Sequence, residues 1–148
     1  MGLYIGKERR IVNVVTQHWT NIKGVGRDFP ERSEIDTSEI MESWQHCFII
    51  EVKNSGYICE DAGEKATEFY GFQKNMCIDN RYSTDAPFLR LYTIDAVLEK
   101  FDTLVEDCYP ITEQEESESI KIRQVLLPLG DQNNNISHIL GVITFKFL

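Results

Sequence analysis

Paired cysteines and long apolar runs are both missing from this sequence, and each absence argues against a class of protein. The four cysteines stand far apart, with no C-x-x-C pair and no histidine at zinc-like spacing, at positions Cys47, Cys59, Cys77 and Cys108. This spacing argues against a metal or redox site, and we expect buried, reduced thiols instead. No apolar stretch approaches the length that crosses a membrane, and the N-terminal residues lack the apolar segment of a secretion signal. We therefore predict a cytoplasmic location and no membrane association.

Positive charge is also scarce, because 15 Lys and Arg residues stand against 24 Asp and Glu, which gives a formal net charge of −9. Nucleic acid and anionic membranes both select for a basic face, so neither is an expected partner. Enzyme motifs such as G-x-S-x-G, H-E-x-x-H and the P-loop are absent from the sequence as well. We therefore predict no catalytic residue and no metal site.

Apolar residues are abundant enough to form the core of one domain. The 148 residues are 42% hydrophobic and 11% aromatic, so the fold does not depend on disulfides. A first helix is predicted from Arg9 to Ile22, where residues recur at helical spacing, at Ile11, Val14, Val15, His18, Trp19 and Ile22. Gly24 and Gly26 follow it as a stop signal. The apolar stripe of this helix has to cover either the same domain or a second copy.

The first half of the chain continues with a short helix and a hairpin. Asp36 or Thr37 is expected to cap the short helix. Apolar, β-prone runs at 46–53 and 57–59 surround a turn and predict the hairpin. Another short helix is expected at 62–70, capped by Glu60 or Asp61 and ended by Gly71.

The second half begins with an irregular segment at 72–85. A longer helix is predicted from Asp85 to Val105, with Cys108-Tyr109-Pro110 ending it. The acidic stretch that follows, up to Ser119, is expected to be a solvated loop or strand edge. Two β-rich runs, at 120–129 and 136–147, surround a polar turn and predict a second hairpin.

The order of these elements indicates the fold class. Strands near both ends with helices between them do not fit a doubly wound βαβ array. We predict an α+β fold, with an antiparallel sheet of about five strands, helices on one face and an N-terminal flanking helix. Residues 1–45 would form the flanking helix and a connecting segment, and residues 46–148 the core.

Several short motifs, taken together in this order, resemble a known family. They are a Trp-containing helix, a glycine turn, a Pro-x-Arg-x-x-Ile-Asp segment and a late Leu-Leu-Pro-Leu strand, found here at Trp19, Gly24, Pro30, Arg32, Ile35, Asp36 and 126–131. From about Arg10 to Val142 the chain resembles the PAS domain, in particular a single-domain PAS-like family common in alphaproteobacteria. The resemblance implies a sensor or adaptor in bacterial signal transduction.

The resemblance also implies where a ligand would bind. PAS domains hold ligands between the sheet and the long helix, and we expect the inward positions there to be Tyr57, Tyr92 and Arg123. Haem-binding members use an axial histidine on that helix, but 88–105 contains none. Photoactive flavin members use a cysteine in an Asn-Cys-Arg type motif, which neither Cys59 nor Cys77 matches. The cofactor is therefore unknown, with no support for haem or for a covalent flavin adduct.

Signalling requires a partner, and the first helix is the expected interface. In PAS proteins a flanking helix packs across its own sheet or exchanges with a second copy, and the residues that would do so here are Ile11, Val15, Trp19 and Ile22. The pattern leaves packing in cis and packing in trans equally open. We expect a protein partner or self-association to a dimer, together with a small-molecule ligand.

Two other functions stay open at this point. One is a small cone-shaped α+β enzyme, of isomerase or hydrolase type, acting on an apolar substrate. A deep pocket with a paired, desolvated Asp, Glu or His would favour that enzyme, whereas an apolar or filled pocket would favour the adaptor. The other is a scaffold with no pocket at all. Our prediction is the non-enzymatic sensor or adaptor.

Overall fold

The computed structural model describes residues 2–53, 56–71, 73–78, 104–110 and 119–147. Its α-helices are α1 (Gly2–Lys23), α2 (Met41–Trp44) and α3 (Glu64–Tyr70). Two short 3₁₀ helices precede α2, at Arg32–Glu34 and Thr37–Ile40. The strands are β1 (Cys47–Lys53), β2 (Gly56–Ala62), β3 (Cys77–Ile78), β4 (Leu104–Pro110), β5 (Ser119–Gly130) and β6 (Ile136–Phe147).

These strands form one six-stranded sheet in the order β3-β2-β1-β6-β5-β4. All neighbouring strands run antiparallel, and the central pair joins β1 to β6, with Cys47 opposite Val142. Strands from both ends of the sequence therefore lie in a common sheet, which confirms the predicted α+β class and both predicted hairpins. The sheet has six strands where about five were expected, and the strands beyond the two hairpins are β3, which has only two residues, and β4.

Alternation along the strands gives this sheet two apolar faces. We call the face that packs against α1 the outer face; its buried residues are Cys47, Ile49, Val125, Leu127, Leu129, Leu140 and Val142. The inner face is on the opposite side, and its buried residues are Phe48, Ile50, Leu126, Ile139 and Ile143. Near the middle of the inner face the fully buried Phe48 ring lies over Gly141. Both faces are covered, so the sheet is the centre of the core.

Helix α1 packs across the outer face. Val12 and Val15 are buried there beside Ile35 and Ile40, and Ile11, Trp19 and Ile22 are partly buried against the same cluster. Burying a valine side chain in this way is worth about 1.5–3 kcal/mol. The Trp19 indole Nε1–H also donates a hydrogen bond of 2.8 Å to the carbonyl oxygen of Pro128. In this structure the predicted apolar stripe therefore covers the chain's own sheet.

The predicted helix from Asp85 to Val105 is wrong at its C-terminal end. Leu104–Pro110 is strand β4, which pairs with the first half of β5 from Leu104 opposite Val125 to Pro110 opposite Ser119. Leu104 and Val105 continue a helical spacing in the sequence, but β5 is 12 residues long and offers its edge to β4. The hydrogen bonds gained by pairing with β5 therefore outweigh the helical preference that the spacing of these residues suggests. The remainder of the predicted helix, including Tyr92, lies outside the described residues.

Helix capping was predicted correctly at three of four places. The Asp36 carboxylate accepts a hydrogen bond of 3.0 Å from Ser38 N, as expected of the cap of Thr37–Ile40. Helix α3 ends at Gly71, whose φ of 76° lies in the left-handed region that glycine favours, and α1 is followed by Gly24 at φ 66°. The predicted cap of α3 is wrong, because β2 extends to Ala62 and Gly63 becomes the N-cap.

The described cysteines fall into two classes of reactivity. Burial raises the pKa of Cys47 to about 12 and that of Cys59 to about 11. Cys77 is exposed, which corrects the expectation that it is buried. We expect iodoacetamide at about pH 8 to modify Cys77 in the folded protein and to spare Cys47 and Cys59 until urea is added. Peptide mass mapping measures this order, and equal labelling of Cys47 and Cys77 in the folded state would contradict it.

Candidate functional site

Several of the residues that carried the family resemblance come together where the segment after α1 meets the end of β5. Gly130 N donates a hydrogen bond of 2.8 Å to the carbonyl oxygen of Pro30, and Glu31 forms a parallel bridge to Gly130. The buried Phe29 ring lies over Gly130. We call this set of contacts between 29–31 and the end of β5 the hairpin clamp. Together with the Trp19 hydrogen bond to Pro128, it ties α1 and the segment after it to the β5–β6 hairpin.

A polar cluster lies next to the hairpin clamp. Arg32 Nε donates a hydrogen bond of 3.0 Å to Glu60 Oε2. His138 Nε2 lies 3.8 Å from Glu60 Oε1 and 3.7 Å from Glu51 Oε2, and its Nδ1 shares a hydrogen bond of 2.8 Å with Ser137 Oγ. Burial lowers the pKa of His138, against the opposing effect of Glu60. The imidazole is therefore predominantly neutral near pH 7 and is held by its neighbours without a full ion pair.

This lowered pKa makes the stability of the protein depend on pH. Because the pKa of His138 is lower in the folded state than in the unfolded chain, acidification protonates the unfolded chain first. Stability is retained above the ordinary histidine pKa and falls as the pH drops below it. We expect urea unfolding to show a larger loss from about pH 7.5 to about pH 5.5 in the wild type than in His138→Gln. An equal loss in the two proteins would contradict the lowered pKa.

The predicted ligand residues do not all face the same side. Tyr57 is half-buried on the inner face, because it pairs with Val52 in line with Ile50. Arg123 is on the outer face, two residues before Val125 and opposite Thr144. The expectation that Tyr57 and Arg123 line one pocket is therefore corrected, while a ligand contact of either residue stays a prediction. Tyr92 lies outside the described residues.

One polar residue of the inner face was not selected from the sequence. Gln124 is 1% exposed within the otherwise apolar β5 and is paired in register with Ile143. Side chains alternate between the two faces of a strand, so Gln124, two residues before Leu126, is expected on the same inner face as Leu126. The sequence pattern alone therefore predicts its position. A buried amide among apolar neighbours can orient a ligand or a side chain by hydrogen bonding.

The four predicted interface residues all lie on the side of α1 that faces the sheet. Val15 is fully buried, and the other three, Ile11, Trp19 and Ile22, are partly buried against the outer face. Their role in an intermolecular contact stays a prediction. Such a contact would require α1 to move away from its own sheet or to exchange with a second copy.

The described histidine–carboxylate pairs are not those of a desolvated acid–base site. His18 Nδ1 lies 3.3 Å from Glu39 Oε2, and the His18 side chain is 9% exposed, but that of Glu39 is 63% exposed. The carboxylates beside His138, those of Glu51 and Glu60, are each about one-third exposed. Within the described ranges, no group of three or more His, Cys, Asp and Glu side chains is arranged to hold a metal ion. The helices of this same part of the chain include none long and apolar enough to span a membrane.

The six-stranded antiparallel sheet with α1 across its outer face is an α+β fold. A family model described as PAS domain matches residues 10–144, and the chain belongs to this family of signal-sensing domains. The family is generally non-enzymatic, and its members commonly bind small molecules or partners. The resemblance inferred from the sequence is thereby confirmed, while its narrower placement in alphaproteobacteria stays a prediction.

Solved structures with a similar chain trace share little sequence with this protein. A light-oxygen-voltage domain studied with a flavin analogue is 13% identical, with 74% of this chain and 82% of that chain covered and a TM-score of 0.48. The PAS domain of a Colwellia psychrerythraea protein is 14% identical, covering 72% and 93%, with a TM-score of 0.40. The PAS domain of Bordetella pertussis BvgS is 14% identical, covering 67% and 74%, with a TM-score of 0.38. No curated protein matches the chain in sequence.

Proposed function

We propose that this PAS domain is a non-enzymatic sensor or adaptor in bacterial signal transduction. A small molecule on the inner face, or a protein partner, would change the packing of α1 on the outer face. The observation that supports this proposal is the position of α1, which rests on the same strands whose other side forms the inner face. A cytoplasmic location stays a prediction from the sequence.

Strand β5 is the element that would couple the two faces. Leu126 faces inward and Leu127 faces outward, and the next residue, Pro128, accepts the hydrogen bond of Trp19. A ligand that shifts β5 from the inner side would therefore displace both the apolar contacts and the hydrogen bond that hold α1. This coupling requires only α1 and strand β5 to move.

Release of α1 would create the surface for a partner. The stripe of Ile11, Val15, Trp19 and Ile22 and the outer face would become exposed together, and an apolar surface of that kind favours association. A second copy could supply the same helix in exchange, which would keep every outer-face contact while joining two chains. Self-association and partner binding are thus two outcomes of one movement.

The test combines native mass spectrometry with hydrogen exchange on protein purified from its own host. We expect a species carrying a small molecule, a second copy or a partner, and we expect its amides at 10–23 to exchange at rates different from those of the bare monomer. Trp19→Phe keeps an aromatic ring, though a smaller one, and removes the hydrogen-bond donor, at a cost of about 1 kcal/mol or more, and should enlarge that difference. A bare monomer alone, or a loaded species with unchanged exchange in α1, would overturn the proposal.

A further inference from the structure

A solvent-accessible groove runs along α1 beside the segment that contains α2. It has a volume of about 1040 Å³ and lies between α1 and Thr37–Trp44, with Thr144 of β6 among its lining residues. A smaller groove of about 700 Å³ continues along α1 and shares Arg10, Val14, Glu39 and Ile40 with the first. The size is that of small-molecule sites in proteins. Since Thr144 alternates with Val142 on the outer face, this groove is separate from the inner face.

Each of the two grooves is bordered by a buried polar atom without a hydrogen-bond partner among the described residues. Thr144 is 3% exposed, and its Oγ1 is such an atom in the larger groove. His18 Nε2 is the corresponding atom beside the smaller groove. Buried polar atoms in folded proteins nearly always have a partner, so each of these two atoms is a candidate hydrogen-bonding contact for a group bound in its groove.

The remaining lining residues indicate the chemistry of that binding group. Ile11, Val14 and Ile40 give the groove an apolar wall, and Met41 at its rim is 69% exposed. Lys65 also lines the groove, and its only described ion pair is a 3.8 Å contact with the exposed Glu68. An apolar wall, a buried hydroxyl donor and an ammonium group together suit an alkyl chain that carries a negatively charged head.

Acidic side chains also line the groove, and they could repel an anionic head group. Glu39 and Glu42 line it together with the cations Arg10 and Lys65. The Glu39 side chain is 63% exposed, so solvent screens its charge. Glu42 belongs to α2 and is exposed. The cationic groups therefore remain available to an anionic head beside Thr144.

We propose that this groove binds a linear alkyl monocarboxylate. Its chain would lie along Ile11, Val14 and Ile40, and its carboxylate would accept a hydrogen bond from Thr144 Oγ1 close to the Lys65 ammonium. Bound there, the ligand would hold α1 against the segment that contains α2. The inference stands on the groove alone and does not depend on signalling through the inner face.

Calorimetric titration below the critical micelle concentration tests the head group. Decanoate, decan-1-ol and decylammonium share the same chain and differ only in charge. We expect saturable binding of decanoate, with weaker binding of the alcohol and weakest binding of the amine. The carboxylate assignment is overturned if the alcohol or the amine binds as tightly as decanoate, and the site itself is overturned if none of the three binds.

Variants locate the binding. Thr144→Val keeps the shape and removes the unpaired hydroxyl, so it should fold and bind decanoate about tenfold more weakly. Lys65→Gln should abolish the preference for decanoate over decan-1-ol. Thr20→Val on the exposed side of α1 and Tyr57→Phe on the inner face are the controls, and both should bind as the wild type does. Unchanged binding in Thr144→Val, or weakened binding in Tyr57→Phe, would place the ligand elsewhere and overturn the proposal.

Discussion

Val15→Asp should lower the free energy of unfolding by about 3 kcal/mol or more, whereas Val14→Asp should change it by less than about 1 kcal/mol. The two residues have the same side chain and are neighbours in α1, but Val15 is fully buried against the sheet and Val14 is 42% exposed. An aspartate at position 15 would place an unpaired carboxylate among apolar side chains. An aspartate at position 14 would lie at the edge of the groove beside α1, where its carboxylate stays accessible to solvent, one helical turn after Arg10, and opposite charges attract weakly there.

Urea unfolding followed by circular dichroism and by tryptophan fluorescence measures this difference. Trp19 and Trp44 both pack against the outer-face cluster, so their emission reports on the packing of α1. If the variant releases α1 without unfolding the sheet, the transition followed by fluorescence will occur at lower urea than the transition followed by dichroism. The slope of the unfolding free energy against urea concentration will also fall. Equal destabilisation by the two substitutions would show that α1 does not pack on this sheet in solution.

Gly63→Ala is the second substitution from which we expect a large effect, again a loss of about 3 kcal/mol or more. The backbone of Gly63 has φ −74° and ψ 167°, a conformation that alanine adopts freely, so the cost is purely steric. A Cβ atom there would lie 2.6 Å from Gln45 Cα and closer still to the carbonyl oxygen of Trp44. Moving the backbone to remove this overlap would break hydrogen bonds, because Gln45 O accepts from Lys65 N and Ala66 N, and Gly63 N donates to Cys47 O.

Gly71→Ala is the matched control for this substitution. Gly71 follows α3 as Gly63 precedes it, but it has φ 76° and no atom near the position of a Cβ. Its replacement should cost only the strain of the left-handed conformation, about 1–2 kcal/mol. Thermal and urea unfolding of the two variants compares steric crowding with backbone strain. A smaller loss in Gly63→Ala than in Gly71→Ala would contradict the close contact between the start of α3 and the end of α2.

The sequence was sufficient to predict the elements whose pattern is local. Alternation and apolar content identified both hairpins, and helical spacing identified α1 from Ile11 to Ile22. Strand β4 was missed because Leu104 and Val105, at its start, fit a helical period as well as a strand, and only the pairing with β5 decides between them. Local patterns fail where a distant strand determines the structure.

The candidate sites were less predictable, for a related reason. Alternation shows that Tyr57 and Arg123 each have a definite face, but it does not show which face α1 covers. The groove beside α1 depends on four segments far apart in sequence, and Thr144 is an ordinary strand residue until those segments meet. Trp19 lies on the predicted apolar stripe, and in this structure it packs on its own sheet, which is one of the two arrangements that the pattern left open; its role in an intermolecular contact stays a prediction.

The central pairing of β1 with β6 has a consequence for biosynthesis. The β1–β2 hairpin leaves the ribosome early, but the strand that completes its other edge is translated last among the strands. Until then the backbone groups of Cys47–Glu51 that later pair with β6 are open to other chains. The pairing of β1 with β6 joins residues far apart in the sequence, and contacts of this kind (a high contact order) predict slow folding. We therefore expect the nascent chain to depend on chaperones or on rapid completion of synthesis.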